Sequence, residues 1–553
     1  MEISNKKTLL DYLYHWEKTR PDQVYLKQPF GDSTIDTTWG ETADQVRRLA
    51  KFIRSQNLPE KSNIGIVSKN CAEWLISDLA IMMSGHVSVP FYPTLTSDQI
   101  NQVLTHSGCN WLFVGKLDDW EAMKPGISKD INCISFPRYN PDKGHHQWDT
   151  ILKETERLEE NYYPSLDDLL TIIYTSGTTG NPKGVMMQYK TMSESIYSTR
   201  HLTKLNVPNI RFFSYLPLSH IAERNLVEAG SVFSGGTVYF ADTLASFADN
   251  LRAASPTHFL AVPRIWTKFQ LGVLSKMPQK KLNLLMSIPF LGGIIKKKLK
   301  AGLGLSDAIF ILTGAAPMPA SLIKWYRKIG IIIQEAYGMT ENNGAVSMMP
   351  KDNIKDGTVG QIYPGMEVKI VPENGEILTR SEWNMLGYYK EPDITAATLD
   401  SDSWIHTGDV GELDSENFLK ITGRVKEMYK TSKGEYIAPA QIEFGFADND
   451  MIDQVCVVGQ SLPQPIALVV LSEIGLKASN EEVVATLTAN LKALNPTLKP
   501  YERINKMVVL KDEWNVENNC LTPTLKIKRL IIEKKFASQF EPWFETKGSV
   551  IWE

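Results

Sequence analysis

Eight short runs of β-branched and apolar residues punctuate the first two thirds of the chain, at 63–67, 111–114, 171–174, 211–216, 237–240, 258–262, 308–313 and 331–335. Helical stretches separate them. Continuous apolar strands alternating with amphipathic helices predict an α/β fold of parallel-type sheets flanked by helices on both faces. In such sheets ligands gather outside the carboxyl ends of the strands. Residues that directly follow a strand are therefore the first candidates for chemistry. Ahead of these runs, Leu9, Leu13 and Trp16 share one helical face, as do Val46, Leu49 and Ile53.

The pattern changes twice further on. Between 357 and 413 helices thin out, and short strands with Gly and Pro turns predict a small β-subdomain. From Val425 the reading is α+β. Strands at 454–458, 466–471 and 506–510 surround a helix at 481–494 whose apolar face reads Val484, Leu487 and Leu491. A length of 553 residues exceeds one compact core. The expected division is 1–424 for a large N-terminal domain and 425–553 for a small C-terminal one. No internal repeat or low-complexity tract interrupts this organisation.

Composition narrows the function classes. Hydrophobic residues at 43% and charged residues at 22% describe an ordinary globular protein. A net charge of −4 argues against a nucleic-acid binder, which needs a basic excess. The five cysteines lack metal-ligand spacing and are expected to be reduced thiols of a cytoplasmic protein. The N-terminus has no apolar signal region, so no secretion is expected. The longest apolar run, 284–295, is broken by Ser287, Pro289 and two glycines. It falls short of the ~20 residues a membrane span needs.

Directly after the run at 169–174 stands Tyr174-Thr-Ser-Gly-Thr-Thr-Gly-Asn-Pro-Lys-Gly-Val185. Its glycines (Gly177, Gly180, Gly184) expose backbone N–H groups. Thr175, Ser176, Thr178 and Thr179 add hydroxyl donors, and Lys183 adds a cation. A polyphosphate requires this combination. No Walker A register fits over it. A polar surface turn is the plain alternative, and it leaves so dense a set of phosphate-type donors without a purpose.

The loop is similar to the signature of the adenylate-forming, AMP-binding superfamily of acyl-CoA synthetases, luciferases and peptide-synthetase adenylation domains. Further motifs follow in the superfamily's order: Gly314-Ala-Ala-Pro317, Tyr337-Gly-Met-Thr-Glu341, Thr407-Gly-Asp409, Gly423-Arg424, Lys433-Gly434-Glu435 and Thr522-Pro-Thr-Leu-Lys526. Leu216-Pro-Leu-Ser-His-Ile-Ala-Glu-Arg224, Gly387-Tyr-Tyr-Lys390 and Trp404-Ile-His-Thr-Gly-Asp409 resemble the long-chain fatty acyl-CoA synthetase branch. The resemblance runs from about residue 40 to the C-terminus.

What it implies is specific. ATP, Mg²⁺ and coenzyme A are the expected cofactors and co-substrates, and a fatty acid the expected substrate. The phosphate loop, with Thr175, Ser176, Gly177, Thr178, Thr179, Gly180 and Lys183, would hold the β- and γ-phosphates. Gly314, Ala315, Ala316, Glu335, Ala336, Tyr337, Gly338 and Met339 would line the nucleotide site, with Tyr337 stacked on adenine. Thr340 would bond the α-phosphate and Glu341 would ligate Mg²⁺; a helix N-cap is the plain reading of Thr340. Asp409 would accept from the ribose hydroxyls, and Arg424 would hold ribose and phosphate.

Lys526 is the expected catalytic lysine, delivered by a mobile lid, with Lys528 and Arg529 on a solvated helix face beside it. Gly434 and Lys433 would line a coenzyme A tunnel and Lys426 would be the hinge. His220 is read evenly as structural or as a neighbour of the reacting carboxylate. Three positions depart from the superfamily pattern: Ala336, Lys433 and Leu525 stand where glycine is common. The expected reaction is fatty-acid activation through an acyl-adenylate, then thioester formation with coenzyme A. Transfer to a carrier protein or another acceptor is the alternative, and a degenerate non-catalytic binder is a third class. Lys296-Lys-Lys-Leu-Lys300 is expected to be solvated, with peripheral contact at an anionic membrane surface as its alternative. Monomer and homodimer both stay open.

Overall fold

The alternation of strands and helices closes into two large sheets. The computed structural model describes residues 2–139, 142–176, 182–447, 449–515, 517–522 and 527–553. All eight expected runs form strands, with ends displaced by a few residues at most. The largest displacement is at the last run, which forms Gln334–Tyr337 rather than 331–335. Glu335, Ala336 and Tyr337 are thus the carboxyl end of the strand itself.

In the nine-stranded sheet, Arg211–Ser214, His258–Ala261, Phe310–Thr313 and Gln334–Tyr337 are parallel neighbours. In the eight-stranded sheet, Asn63–Val67 lies between Val87–Phe91 and Trp111–Val114, again parallel. The edges differ from the centres. Leu169–Ser176 pairs antiparallel with Pro182–Gln188, and Gln334–Tyr337 with Ser347–Met348. The sheets are mixed because an antiparallel neighbour needs only a short turn, whereas a parallel one needs a crossover. Helix Ala72–Ser84 is buried on every side and correspondingly apolar. The predicted faces of Leu9–Thr19 and Trp39–Ser55 are buried as expected.

Strands Glu367–Ile370, Glu376–Arg380, Ile405–Leu413 and Leu419–Arg424 form a separate four-stranded sheet. The expected β-region is nevertheless shared out. Gln361–Ile362 completes the nine-stranded sheet and Gly387–Tyr388 the eight-stranded one.

After Arg424, Ile452–Val458, Ile466–Leu471, Lys506–Val509 and Val550–Trp552 make another four-stranded sheet. Helix Asn480–Leu494 buries Val483, Leu487 and Leu491, so Val483 replaces the predicted Val484. The Ser479 hydroxyl caps the Glu482 N–H and fixes the helix start, and steps of four then align these three residues. Arg529 also departs from expectation. It is buried, pairs with Glu443 at 2.7 Å and donates to the Val457 carbonyl at 2.6 Å. A buried carboxylate needs such a partner, which draws the guanidinium inward from the solvated face. All five cysteines are buried free thiols. Among the described residues no helix is long and apolar enough to cross a membrane.

Candidate active site

Thr313 and Glu335 are register partners at the carboxyl edge of the nine-stranded sheet, so the segments that leave these two strands emerge side by side. A Cβ on Gly314 would sit 3.0 Å from the Ala336 carbonyl oxygen, so a side chain there would need this neighbour to give by a few tenths of an ångström. Ala315 follows with φ of +63°, the left-handed region. For a residue with a Cβ this costs ~1–3 kcal/mol and is typical of ligand-contacting turns. Ala316 continues that turn. Burial and Asp356 push the Glu335 carboxyl up to about 8, with Arg327 opposing.

Thr340 and Glu341 belong to a short 3-10 turn, Thr340–Asn342, and both are buried. Thr340 is not the N-cap. Met339 holds that position, and its N–H donates to the Asn342 side chain at 2.8 Å. Gly338 has its own reason to be glycine: a Cβ there would lie 2.3 Å from the Gly344 carbonyl carbon. The turn can therefore fold back on itself only without a side chain at 338.

The second sheet reaches the same place. Lys183 is a strand residue of Pro182–Gln188, opposite Thr175, rather than a loop residue. Gly387–Tyr388 pairs with that strand, and the Tyr388 hydroxyl donates to Glu341 Oε1 at 2.6 Å. Lys183 Nζ lies 5.2 Å from the Tyr388 ring centroid. Burial raises the Glu341 carboxyl above its ordinary range, while Tyr388 and then Lys183 oppose the shift. Tyr388 stands in the Gly-Tyr-Tyr-Lys motif, which had signalled only a subfamily in the sequence.

Asp409 is placed by a bulge. Residues 376 and 378 face 410 and 406, so four steps of one strand oppose two of the other. Gly408 takes φ of +69° inside this bulge, and the irregularity re-aims Asp409. Its Oδ2 accepts from the Tyr337 hydroxyl at 2.7 Å and its Oδ1 meets Arg424 Nε at 2.9 Å. Asp409 and Arg424 are direct cross-strand partners. A nearly buried carboxylate is thus held between a phenol and a guanidinium.

His220 caps a short helix, its Nδ1 accepting from the Ala222 N–H at 3.2 Å. That supplies its structural role. The neighbouring Ile221 packs with Val185 and Tyr388, which puts this segment beside Glu341's neighbours. Asn70 and Glu223, which the sequence did not single out, hold it there. Asn70 Nδ2 donates to Ser214 Oγ at 2.8 Å and the Leu216 carbonyl at 2.6 Å. Glu223 accepts from Ser214 Oγ at 2.9 Å and the Tyr215 N–H at 3.0 Å. Burial pushes the Glu223 carboxyl up to about 8 against those two donors.

Other expected residues lie elsewhere. Lys426 sits in the 3-10 turn Val425–Glu427 directly after Arg424. Lys433 and Gly434 form the turn of a small hairpin, where the Gly434 N–H donates to the Thr431 carbonyl at 2.9 Å. Gly434 has φ of +82° and a Cβ there would meet nothing within 4 Å. In this conformation the turn, rather than close approach of a ligand, requires glycine. Gly177, Thr178, Thr179, Gly180, Lys526 and the Ser176 hydroxyl lie outside the described residues; the Ser176 backbone ends the strand.

A strained turn at the carboxyl edge of the nine-stranded sheet is thus tied to the eight-stranded sheet through Glu341–Tyr388 and to the four-stranded sheet through Tyr337–Asp409. The family model "AMP-binding enzyme" matches residues 13–389, and "AMP-binding enzyme C-terminal domain" matches 427–547. The chain belongs to the AMP-binding enzyme family. It is 31% identical to long-chain-fatty-acid–CoA ligase 5 of Rattus norvegicus, with 87% of this chain and 80% of the relative covered. It is 28% identical to a long-chain-fatty-acid–CoA ligase of Mycobacterium bovis over 96% of both chains. The adenylation domain of the Mycobacterium chelonae carboxylate reductase shares the fold, with a TM-score of 0.81 at 20% identity over 98% of this chain and 91% of that one. An anthranilate CoA ligase in complex with anthranoyl-AMP superimposes with a TM-score of 0.77 at 18% identity, covering 97% and 98%.

Proposed function

We propose that the protein activates a long-chain fatty acid as its acyl-adenylate and passes the acyl group to coenzyme A. A carboxylate oxygen attacks the α-phosphorus of ATP, the bond to the β-phosphate oxygen breaks, and pyrophosphate leaves. The coenzyme A thiolate then attacks the acyl carbon and AMP leaves. The observation that supports this best is the Tyr337–Asp409–Arg424 cluster beside Glu341 and Lys183, in a chain whose full-length relatives bear that activity in their names.

Each residue has a task in this reading. Asp409 accepts from the ribose hydroxyls while Arg424 and Tyr337 hold its orientation. Lys183, with the loop that precedes it, balances phosphate charge. Thr340 donates to the α-phosphate. Glu341 suits Mg²⁺ by donor chemistry: a hard carboxylate oxygen, raised by burial, is one a dication would keep ionised. The metal would offset charge on the phosphates; positioning falls to the protein groups. Lys526 stabilises the charge that develops on the α-phosphate, and Lys433 with Gly434 borders the coenzyme A path. Lys526 and Gly434 both follow Arg424 and serve different steps, so the segment after Arg424 turns between them about Lys426.

The test is pyrophosphate release from ATP with palmitate, with and without coenzyme A. Palmitate-dependent release, with palmitoyl-CoA formed only when coenzyme A is present, is expected. In the same assay Lys426→Pro, which fixes φ and removes an N–H, should keep the release and lose the thioester. Palmitate-independent cleavage of ATP would contradict the activity; full thioester formation by the proline variant would contradict the hinge.

A further inference from the structure

From Asp249 to Asp307 the chain has no carboxylate side chain between those two residues, yet it has ten lysines and arginines there, in a protein whose net charge is −4. Most of this stretch is three helices, Pro263–Lys276, Gln279–Ser287 and Leu291–Gly302. One side of them is docked: Trp266 and Leu282 are buried, and Phe269, Met286, Ile295 and Leu299 pack against the same cluster. The other side is apolar as well. Leu284, Ile288 and Ile294 are 64%, 43% and 53% exposed, and Phe290 is 93% exposed.

These four residues bracket the turn between the second and third helices. Phe290 holds φ of +66° there, an outlier for a bulky residue. The turn is tightly built, since a Cβ on Gly292 would lie 2.7 Å from the Met286 carbonyl oxygen. A strained backbone thus presents a benzyl group to solvent, where the ring gains nothing. The two helices that meet at this turn also carry Lys280, Lys281, Lys297 and Lys298, all exposed. The Arg264–Asp453 pair at 3.6 Å is the one ion pair that the described residues of these helices make.

We propose that this face, centred on Phe290, docks the protein on the surface of an anionic lipid bilayer. An apolar tip flanked by lysines matches the acyl boundary below and the phosphate headgroups around it. A second copy of the chain is a poor occupant. A two-fold contact would set this acid-free face against itself, and like charges would repel. The inference does not depend on the proposed reaction.

Flotation with vesicles of phosphatidylcholine, alone or mixed with phosphatidylglycerol, tests it. The protein should float with the mixed vesicles at low salt, stay behind with the neutral ones, and release as salt rises. Phe290→Ser and the double variant Lys297→Glu/Lys298→Glu should each lower the partition coefficient by about tenfold or more. Both variants should release pyrophosphate from ATP with dispersed palmitate at the parent rate, so failure of docking leaves the proposed reaction intact. Parent-like partitioning of both variants, or equal binding to neutral vesicles, overturns the proposal. So does sedimentation showing a dimer that Phe290→Ser dissociates while the parent ignores vesicles.

Discussion

The block Trp404-Ile-His-Thr-Gly-Asp409 marks Asp409 as a candidate ribose acceptor, but not the contacts it makes with Tyr337 and Arg424. Tyr337 lies 72 positions away and reaches it only through the fold. With Oδ1 on Arg424 and Oδ2 on Tyr337, loss of the carboxylate removes the proposed ribose acceptor and releases both neighbours. Asp409→Ala should therefore weaken ATP binding by ~1–3 kcal/mol, or roughly 5- to 150-fold. Isothermal titration measures it, and an unchanged Kd would take Asp409 out of the site. Glu223 makes a different claim. Burial pushes its carboxyl from the ordinary 4.5 up to about 8 in the fold. Between those values the folded chain keeps a proton that the unfolded chain has lost, so stability from this group declines as pH rises through the window. The slope is at most about 1.4 kcal/mol per pH unit. Glu223→Gln keeps an oxygen for Ser214 and the Tyr215 N–H, and should remove that slope in urea denaturation followed across the window. An identical slope in the variant would mean that Glu223 is ionised in the fold.

Strands were the most readable elements, because each is a short apolar run with polar punctuation. Their ends and edges were less so. The hairpin that puts Lys183 on a strand, and the bulge at Gly408, follow from the register between paired strands, which no local pattern encodes. Val483 displaced Val484 for a local reason: the Ser479 cap fixes the helix start, and steps of four then run through 483, 487 and 491. The plain alternative for Thr340, a helix N-cap, rests on Thr being a good cap; the structure gives the cap position to Met339 and places Thr340 inside the turn. That turn depends on the contact between Gly338 and Gly344. Gly338→Ala should displace it, lowering stability by ~1–3 kcal/mol and cutting kcat/KM together with it, since Thr340 and Glu341 move. Thermal melts and steady-state rates read both. Parent values in each would show that the close approach is dispensable.

For the whole molecule, the α/β class and the succession of a large N-terminal and a small C-terminal part were legible, as was the order of motifs along the chain. The antiparallel margins and the exchange of strands between the β-region and both large sheets were not, because composition is silent on which edge a short strand joins. Charge shows the same limit: a net value near zero concealed a stretch of the chain without a single acid. In the proposed reaction one oxygen of the fatty acid must reach the α-phosphorus of ATP. Palmitate labelled with oxygen-18 in its carboxyl group tests it most directly. Coenzyme A-dependent turnover should leave one labelled oxygen in the phosphate of AMP. Label in inorganic phosphate, or none in AMP while acyl-CoA accumulates, would contradict it.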